Sequence, residues 1–286
     1  MSQVIDKAAR GTVLHGVAQL MLAVAGYVVA LLLARGLGAA DYGVYGQIYT
    51  FLMAIELITL WGVPGAVSRL TAEGRDGDGR LRATGLGLVL LWCLLGLAVL
   101  WLGAAPLAAW LGIGDHVAEL RLAIIDVPCF GSYFLIAHVL NGRRDFIGQS
   151  TGVCLYALTK IVGTAALLWL GLTIRSALVI NIASSLVGLL WVLFRAGFPG
   201  IALHGAHVRT ILSLAGPMAI IALSAQLMLG MDQWLIGYFH AGVGQATGGY
   251  YIGAKNLARF PNLVAFVLNA VLIPSIAHAV GRGEHA

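Results

Sequence analysis

From residue 12 to residue 34 the chain runs 23 residues without an Asp, Glu, Lys or Arg, and stretches of similar length and character return along the whole sequence. About 20 mostly apolar residues are what a helix needs to cross roughly 30 Å of hydrocarbon. Hydrophobic residues make up 60% of the 286 and charged residues only 10%, where a soluble domain carries about a quarter charged. The bilayer is therefore the expected solvent, and the fold class is an all-α polytopic membrane protein of about eight transmembrane helices. The 38 glycines spread through the apolar runs predict helices that approach backbone to backbone.

Apolar stretches bounded by charge, glycine and proline place helices near residues 12–34, 42–70, 83–104, 117–140, 147–171, 175–197, 209–239 and 247–280. Lys7 and Arg10 precede a run too long for the core of a cleaved signal peptide, so the first helix is expected to be retained. With a cytoplasmic amino terminus, eleven basic residues fall in inside segments and two, Arg35 and Arg175, in outside ones. That asymmetry predicts the orientation. The basic residues are scattered over short loops, so the excess of 17 Lys and Arg over 12 Asp and Glu does not predict nucleic-acid binding. Cys93, Cys129 and Cys154 sit in separate apolar segments and are expected to be buried thiols.

Two stretches follow one plan. Residues 33–46, LARGLGAADYGVYG, lead into a helix that leaves through WGVPGAVSRLTAEG. Residues 237–256, GYFHAGVGQATGGYYIGAKN, lead into one that leaves through NAVLIPSIAHAVGRGE. Each has a glycine-rich turn expected on the outside and a proline, Pro64 or Pro274, near the cytoplasmic end, marking either a gate's bend or a packing kink. The spacing of about 210 residues fits six helices, giving parallel halves of the kind found in transporters. The expected division is 1–198 for a first lobe of six helices and 199–286 for the start of a second.

No nucleophile triad, phosphate loop, zinc motif or dinucleotide fingerprint is present, so enzymatic activity is not expected. The HGAH stretch at His204–His207 is a weak metal pattern, and no metal or other cofactor is expected. Ionisable residues inside helices remain, and each costs at least about 2.5 kcal/mol at the bilayer centre unless it finds a partner or water. By rise per residue, Asp232 and Lys255 lie at matching depths near the outer surface, within reach of pairing. Asp126 and Lys160 match near mid-membrane, as a structural pair holding helices in register. Glu56 lacks an evident counter-charge and is either protonated, water-exposed, or a site for a coupling cation such as Na+ or H+. Arg121 is expected to snorkel, and His138, Asn181, Gln226 and Asn269 to bond between helices.

At LLLARGLGAADYGVYG, again at MDQWLIGYF, and at GGYYIGAKNLARFPNLVAFVLNAVLIPSIAHAV, the chain resembles the polysaccharide-precursor flippases of the multidrug, oligosaccharidyl-lipid and polysaccharide (MOP) exporter superfamily. The resemblance spans the chain. It implies a MATE-like fold with one complete six-helix lobe and a truncated second lobe, since members have twelve or fourteen helices. It further implies a central cavity lined by the first, second, seventh and eighth helices, which carry or adjoin Arg35, Asp41, Glu56, Asp232, Lys255 and Arg259. A polyprenyl-pyrophosphate-linked oligosaccharide is the implied cargo, in a bacterial cytoplasmic membrane. Membrane lipids, glycosyltransferases and a polysaccharide polymerase are the implied partners. The alternatives are a cation-coupled multidrug antiporter of the same superfamily and an inactive scaffold for polysaccharide assembly.

Overall fold

The computed structural model describes the backbone of residues 2–75, 79–239 and 245–258. Within them the regular structure is helical and contains no strand. In hydrocarbon, backbone N–H and C=O groups have no water to bond, and a helix satisfies them within the segment. A helical run over Ser2–Ala72 is broken once, at Gly38, whose φ of 76° and ψ of 172° belong to a region that only glycine enters cheaply. It divides the run into α1 (2–37) and α2 (39–72). Tyr27 and Tyr49 line one cavity, whereas a straight helix would hold them about 33 Å apart. The two arms therefore fold back on each other at Gly38.

The elements that follow are α3 (Arg80–Leu102), α4 (Ala104–Trp110), a 3-10 turn (Gly114–His116), α5 (Val117–Ile124), α6 (Asp126–Gly142), α7 (Phe146–Leu170), α8 (Ile174–Ala196), α9 (Gly205–Phe239) and α10 (Gln245–Ala258). Six runs among the described residues are long and apolar enough to cross a membrane. The first, Gly16–Glu56, is 41 residues long and holds both arms of the Gly38 joint, so it supplies two crossings. The chain is therefore a multi-pass membrane protein, and α10 follows these crossings among the described residues.

Three local expectations change. The connection between the first two helices is a single-residue joint rather than an extended glycine-rich turn, because Ala39, Ala40 and Asp41 are already helical. Residues 104–110 form a helix where a loop was expected; Pro106 stands in its first turn, where a missing N–H costs nothing. The helix predicted over 117–140 is interrupted at Ile125, because Pro128 has no N–H to offer the Ile124 carbonyl. Pro64 lies inside α2 without disturbing its helical dihedrals. Arg259, Asn269 and Pro274 lie outside the described residues, as does the side chain of Gln226.

Helices α6, α7 and α8 pack on one another and on the α1–α2 pair, and α9 and α10 lie along that same pair. Ile48, Leu52, Leu135 and Leu178 are almost fully buried within the bundle. In a membrane such contacts hold through close packing, since lipid tails are as apolar as leucine. The tightest approach pins α10 to the joint: a methyl group on Gly249 would overlap the Ala39 carbonyl oxygen, which is backbone and cannot swing away. Gly249→Ala is expected to cost about 1–3 kcal/mol, read as a lower unfolding temperature in detergent; an unchanged temperature would mean that the helices do not approach this closely.

Residues 197–204 connect α8 to α9 and are moored on α3. The Ala202 N–H donates to the Ala83 carbonyl at 3.2 Å, and the Thr84 hydroxyl lies 3.2 Å from Nδ1 of His204. His204 and His207 stack edge to face at 6.1 Å, and no group of three metal-ligating side chains occurs among the described residues.

Candidate functional site

One face of α2 carries Tyr42, Tyr45 and Tyr49, spaced so that all three point the same way on a 3.6-residue helix. That face and Tyr27 of α1 wall a cavity of about 450 Å³, closed on its other sides by Lys160 from α7, Gln233 from α9 and Ile252, Lys255 and Asn256 from α10. The charged side chains among these described lining residues are the two lysines.

They are held differently. Lys255 Nζ lies 2.7 Å from Asp232 Oδ1, an ion pair between α10 and α9. Asp232 has further donors, the Tyr251 hydroxyl at Oδ2 and the Gln233 N–H at 2.9 Å. Lys160 Nζ instead donates to two phenols, Tyr49 at 3.0 Å and Tyr156 at 3.3 Å, and lies 4.8 Å from the Tyr49 ring centroid. Its charge is thus stabilised by oxygen lone pairs and an aromatic face, neither of which neutralises it.

The expected pairing of Lys160 with Asp126 is not formed. Asp126 accepts from the Asn181 side-chain amide on α8, while the Lys160 ammonium turns toward the tyrosines. Depth matched the two residues, but the angle around each helix axis chose other partners. Asn181 thereby bonds across helices. His138 bonds the Phe134 carbonyl one turn back, and Arg121 lies 5.7 Å from the Trp101 ring centroid at a helix end.

Arg35 and Asp41 flank the Gly38 joint, exposed and outside the described cavity walls. Glu56 lies two turns beyond Tyr49 on the same face of α2, past the end of the cavity, and is 2% exposed. Sequence reasoning missed a set of uncharged contacts that ties α2 to α9 and α10. Gln47 Nε2 donates to the Gln233 carbonyl at 2.7 Å, Thr50 donates to Gln233 Oε1 at 2.8 Å, and Asn256 donates to the Tyr42 hydroxyl at 2.8 Å. Their signal was available, since an amide inside an apolar helix needs a partner as a charge does.

Among solved structures, a MATE transporter in complex with MaD3S superposes with a TM-score of 0.67 at 15% identity, covering 96% of this chain and 72% of that one. A MOP superfamily transporter from Pyrococcus furiosus, described as having a binding pocket of reverse polarity, gives 0.66 at 13% identity over 96% and 70%. The MATE multidrug transporter DinF-BH gives 0.72 at 12% identity over 96% and 66%. No protein with a curated description matches the sequence. These likenesses establish the MOP fold. The sequence profile described as polysaccharide biosynthesis protein matches residues 8–280, and with nearly the whole chain inside that match, this MOP-fold membrane protein belongs to the polysaccharide biosynthesis protein family.

Proposed function

We propose that this chain moves a polyprenyl-pyrophosphate-linked oligosaccharide across the bacterial cytoplasmic membrane by alternating access, acting as a flippase rather than as an enzyme. The observation that carries the reading is the charge of the cavity: its described lining includes Lys160 and Lys255 and no carboxylate. An anionic head cannot cross hydrocarbon unaided, and lysines in a cavity of low dielectric attract it strongly. The tyrosine hydroxyls and the amides of Gln233 and Asn256 add hydrogen-bonding partners for sugar and phosphate oxygens, while the lipid tail stays in the bilayer.

The excess of basic residues on one side favours a cytoplasmic amino terminus. In this reading residues 1–198 form one lobe and residues from 199 onward begin the other, and the cavity lies between them. Glycosyltransferases and a polysaccharide polymerase would act before and after the crossing.

The second reading, a cation-coupled multidrug antiporter, draws on the MATE transporters among the fold neighbours and on the acidic Asp232 beside the cavity. Deleting the gene in its host and weighing lipid extracts by mass spectrometry separates the two. Build-up of polyprenyl-linked oligosaccharide, reversed by the restored gene, is the expected result. Sensitivity to cationic dyes with no such build-up would replace flipping by drug export, and no change of either kind would leave the scaffold reading.

A further inference from the structure

Three uncharged side chains tie α2 to α9, and two of them are only half used. Gln47 Nε2 donates to the Gln233 carbonyl at 2.7 Å, and the Thr50 hydroxyl donates to Gln233 Oε1 at 2.8 Å. Gln47 and Gln233 are 4% and 3% exposed. Yet Gln47 Oε1 and Gln233 Nε2 have no hydrogen-bond partner among the described residues, although buried polar atoms are ordinarily satisfied. The two orphans belong to residues in direct contact, and they sit against the cavity wall. A methyl group on Gly46 would lie 3.1 Å from Gln233 Nε2, Gly46 and Gln233 both line the cavity, and Gln47 is the next residue along α2. The same stretch of wall adjoins both cations: Thr50 follows Tyr49, which holds Lys160, and Gln233 follows Asp232, which holds Lys255.

A group that satisfies this pair must accept from an amide N–H and donate to an amide C=O. An ionised phosphate only accepts and an ammonium only donates, whereas a hydroxyl does both. In a polyprenyl-pyrophosphate-linked oligosaccharide the first sugar is bonded directly to the phosphate that the lysines would hold, so its hydroxyls would arrive beside Gln47, Thr50 and Gln233. We propose that these three residues form a clasp that reads hydroxyls of the first sugar, which take over the bonds between α2 and α9 and so release α9. That the ligand is the sugar of this cargo rests on the flippase reading, while the response of the clasp to hydroxyls does not.

The balance of forces suits a clasp that opens. A hydrogen bond between membrane helices contributes little, and a buried amide atom left without a partner costs more. Two bonds and two orphans therefore leave the clasped state close to balance. Because Gln233 Nε2 is pressed against Gly46, a hydroxyl meets the orphans only as α9 withdraws. A ligand shifts such an equilibrium by the difference in its affinity for the two states. Phosphate finds both lysines in the clasped cavity already, so it has little such difference; the sugar has a large one. The anionic head thus binds, and the sugar commits the cargo to the movement.

The test uses the full chain in lipid nanodiscs, its three cysteines replaced by alanine, with spin labels on Ala40→Cys and Leu235→Cys. Both sites are exposed, one near the Gly38 end of α2 and the other near the Phe239 end of α9. The probes are geranyl pyrophosphate, its glucosyl, galactosyl and N-acetylglucosaminyl derivatives, and the methyl glycosides of the same sugars. At least one glycosyl derivative should bind about tenfold more tightly than geranyl pyrophosphate and lengthen the distance between the labels, which geranyl pyrophosphate should leave unchanged. Gln47→Leu should shrink that affinity ratio to about twofold or less; Thr50→Val, which keeps the shape and removes the hydroxyl, should shrink it in part and serves if the first variant does not fold. If an enclosed water molecule already satisfies both orphans, all the pyrophosphates will bind alike with one label distance, which would overturn the clasp and leave the anionic cargo standing. A sugar preference undiminished in both variants would overturn it equally. Methyl glycosides that lengthen the distance, with no binding of any pyrophosphate, would support the clasp and remove the anionic cargo; no effect of either kind of probe would remove both.

Discussion

Lys255→Ala is expected to abolish transport and leave the fold standing. The reason is the asymmetry of its ion pair. When a partner is removed from a buried pair, the damage comes mostly from the charge left behind, but Asp232 would keep the Tyr251 hydroxyl and the Gln233 N–H as donors. Its side chain is also 38% exposed, against 16% for Lys255. The stability change should therefore stay near about 1 kcal/mol, the scale of a partly exposed pair, while the cavity loses one of its two described cations. Transport in reconstituted vesicles, read beside the unfolding temperature, checks both halves. Transport at the unaltered rate would remove Lys255 from the mechanism, and a chain that fails to fold would make the pair structural.

Lys160→Met should reduce pyrophosphate affinity about 10- to 100-fold, the effect of losing a hydrogen bond to a charged group in a partly dry site. Methionine keeps the length and apolar stem of the side chain and removes only the charge. Of the two phenols left behind, Tyr49 lines the cavity, where water can satisfy its hydroxyl, and Tyr156 is a neutral group buried behind it. Folding should therefore survive, and Lys160→Arg should recover part of the binding. The competing possibility is that Lys160 only ties α7 to α2. A lower unfolding temperature with unaltered pyrophosphate affinity would establish that instead.

The sequence made the helices readable because the bilayer imposes their length. It also made the Asp232–Lys255 contact readable, because the two residues stand on helices only five residues apart in sequence and depth along neighbouring helices nearly fixes who meets whom. For Asp126 and Lys160 depth was insufficient. Their helices present several residues at one level, and the rotation of each decides that Asn181 faces Asp126 while tyrosines face Lys160. Gln47, Thr50 and Gln233 were passed over because attention to charge overlooks amides and hydroxyls. The Ile125 interruption was written in Pro128. The Gly38 joint was legible as a reversal, but the absence of any loop was not, since an Ala-Ala-Asp stretch suits a turn and a first helical turn alike.

The mooring of residues 197–204 on α3 fixes where α9 can move. With its Gly205 end tethered at Ala83 and Thr84, α9 resembles an oar in a rowlock, better placed to swing about that end than to slide. From Gly205 to Asp232 the shaft measures roughly 40 Å, so a swing of about 10° carries Asp232 and Gln233 some 7 Å sideways. The hydrogen bonds from Gln47 and Thr50 to Gln233 would part within the first few degrees of that stroke. A fixed fulcrum at one membrane face and a long arm toward the other thus turn a small rotation into the full release of α9 from α2.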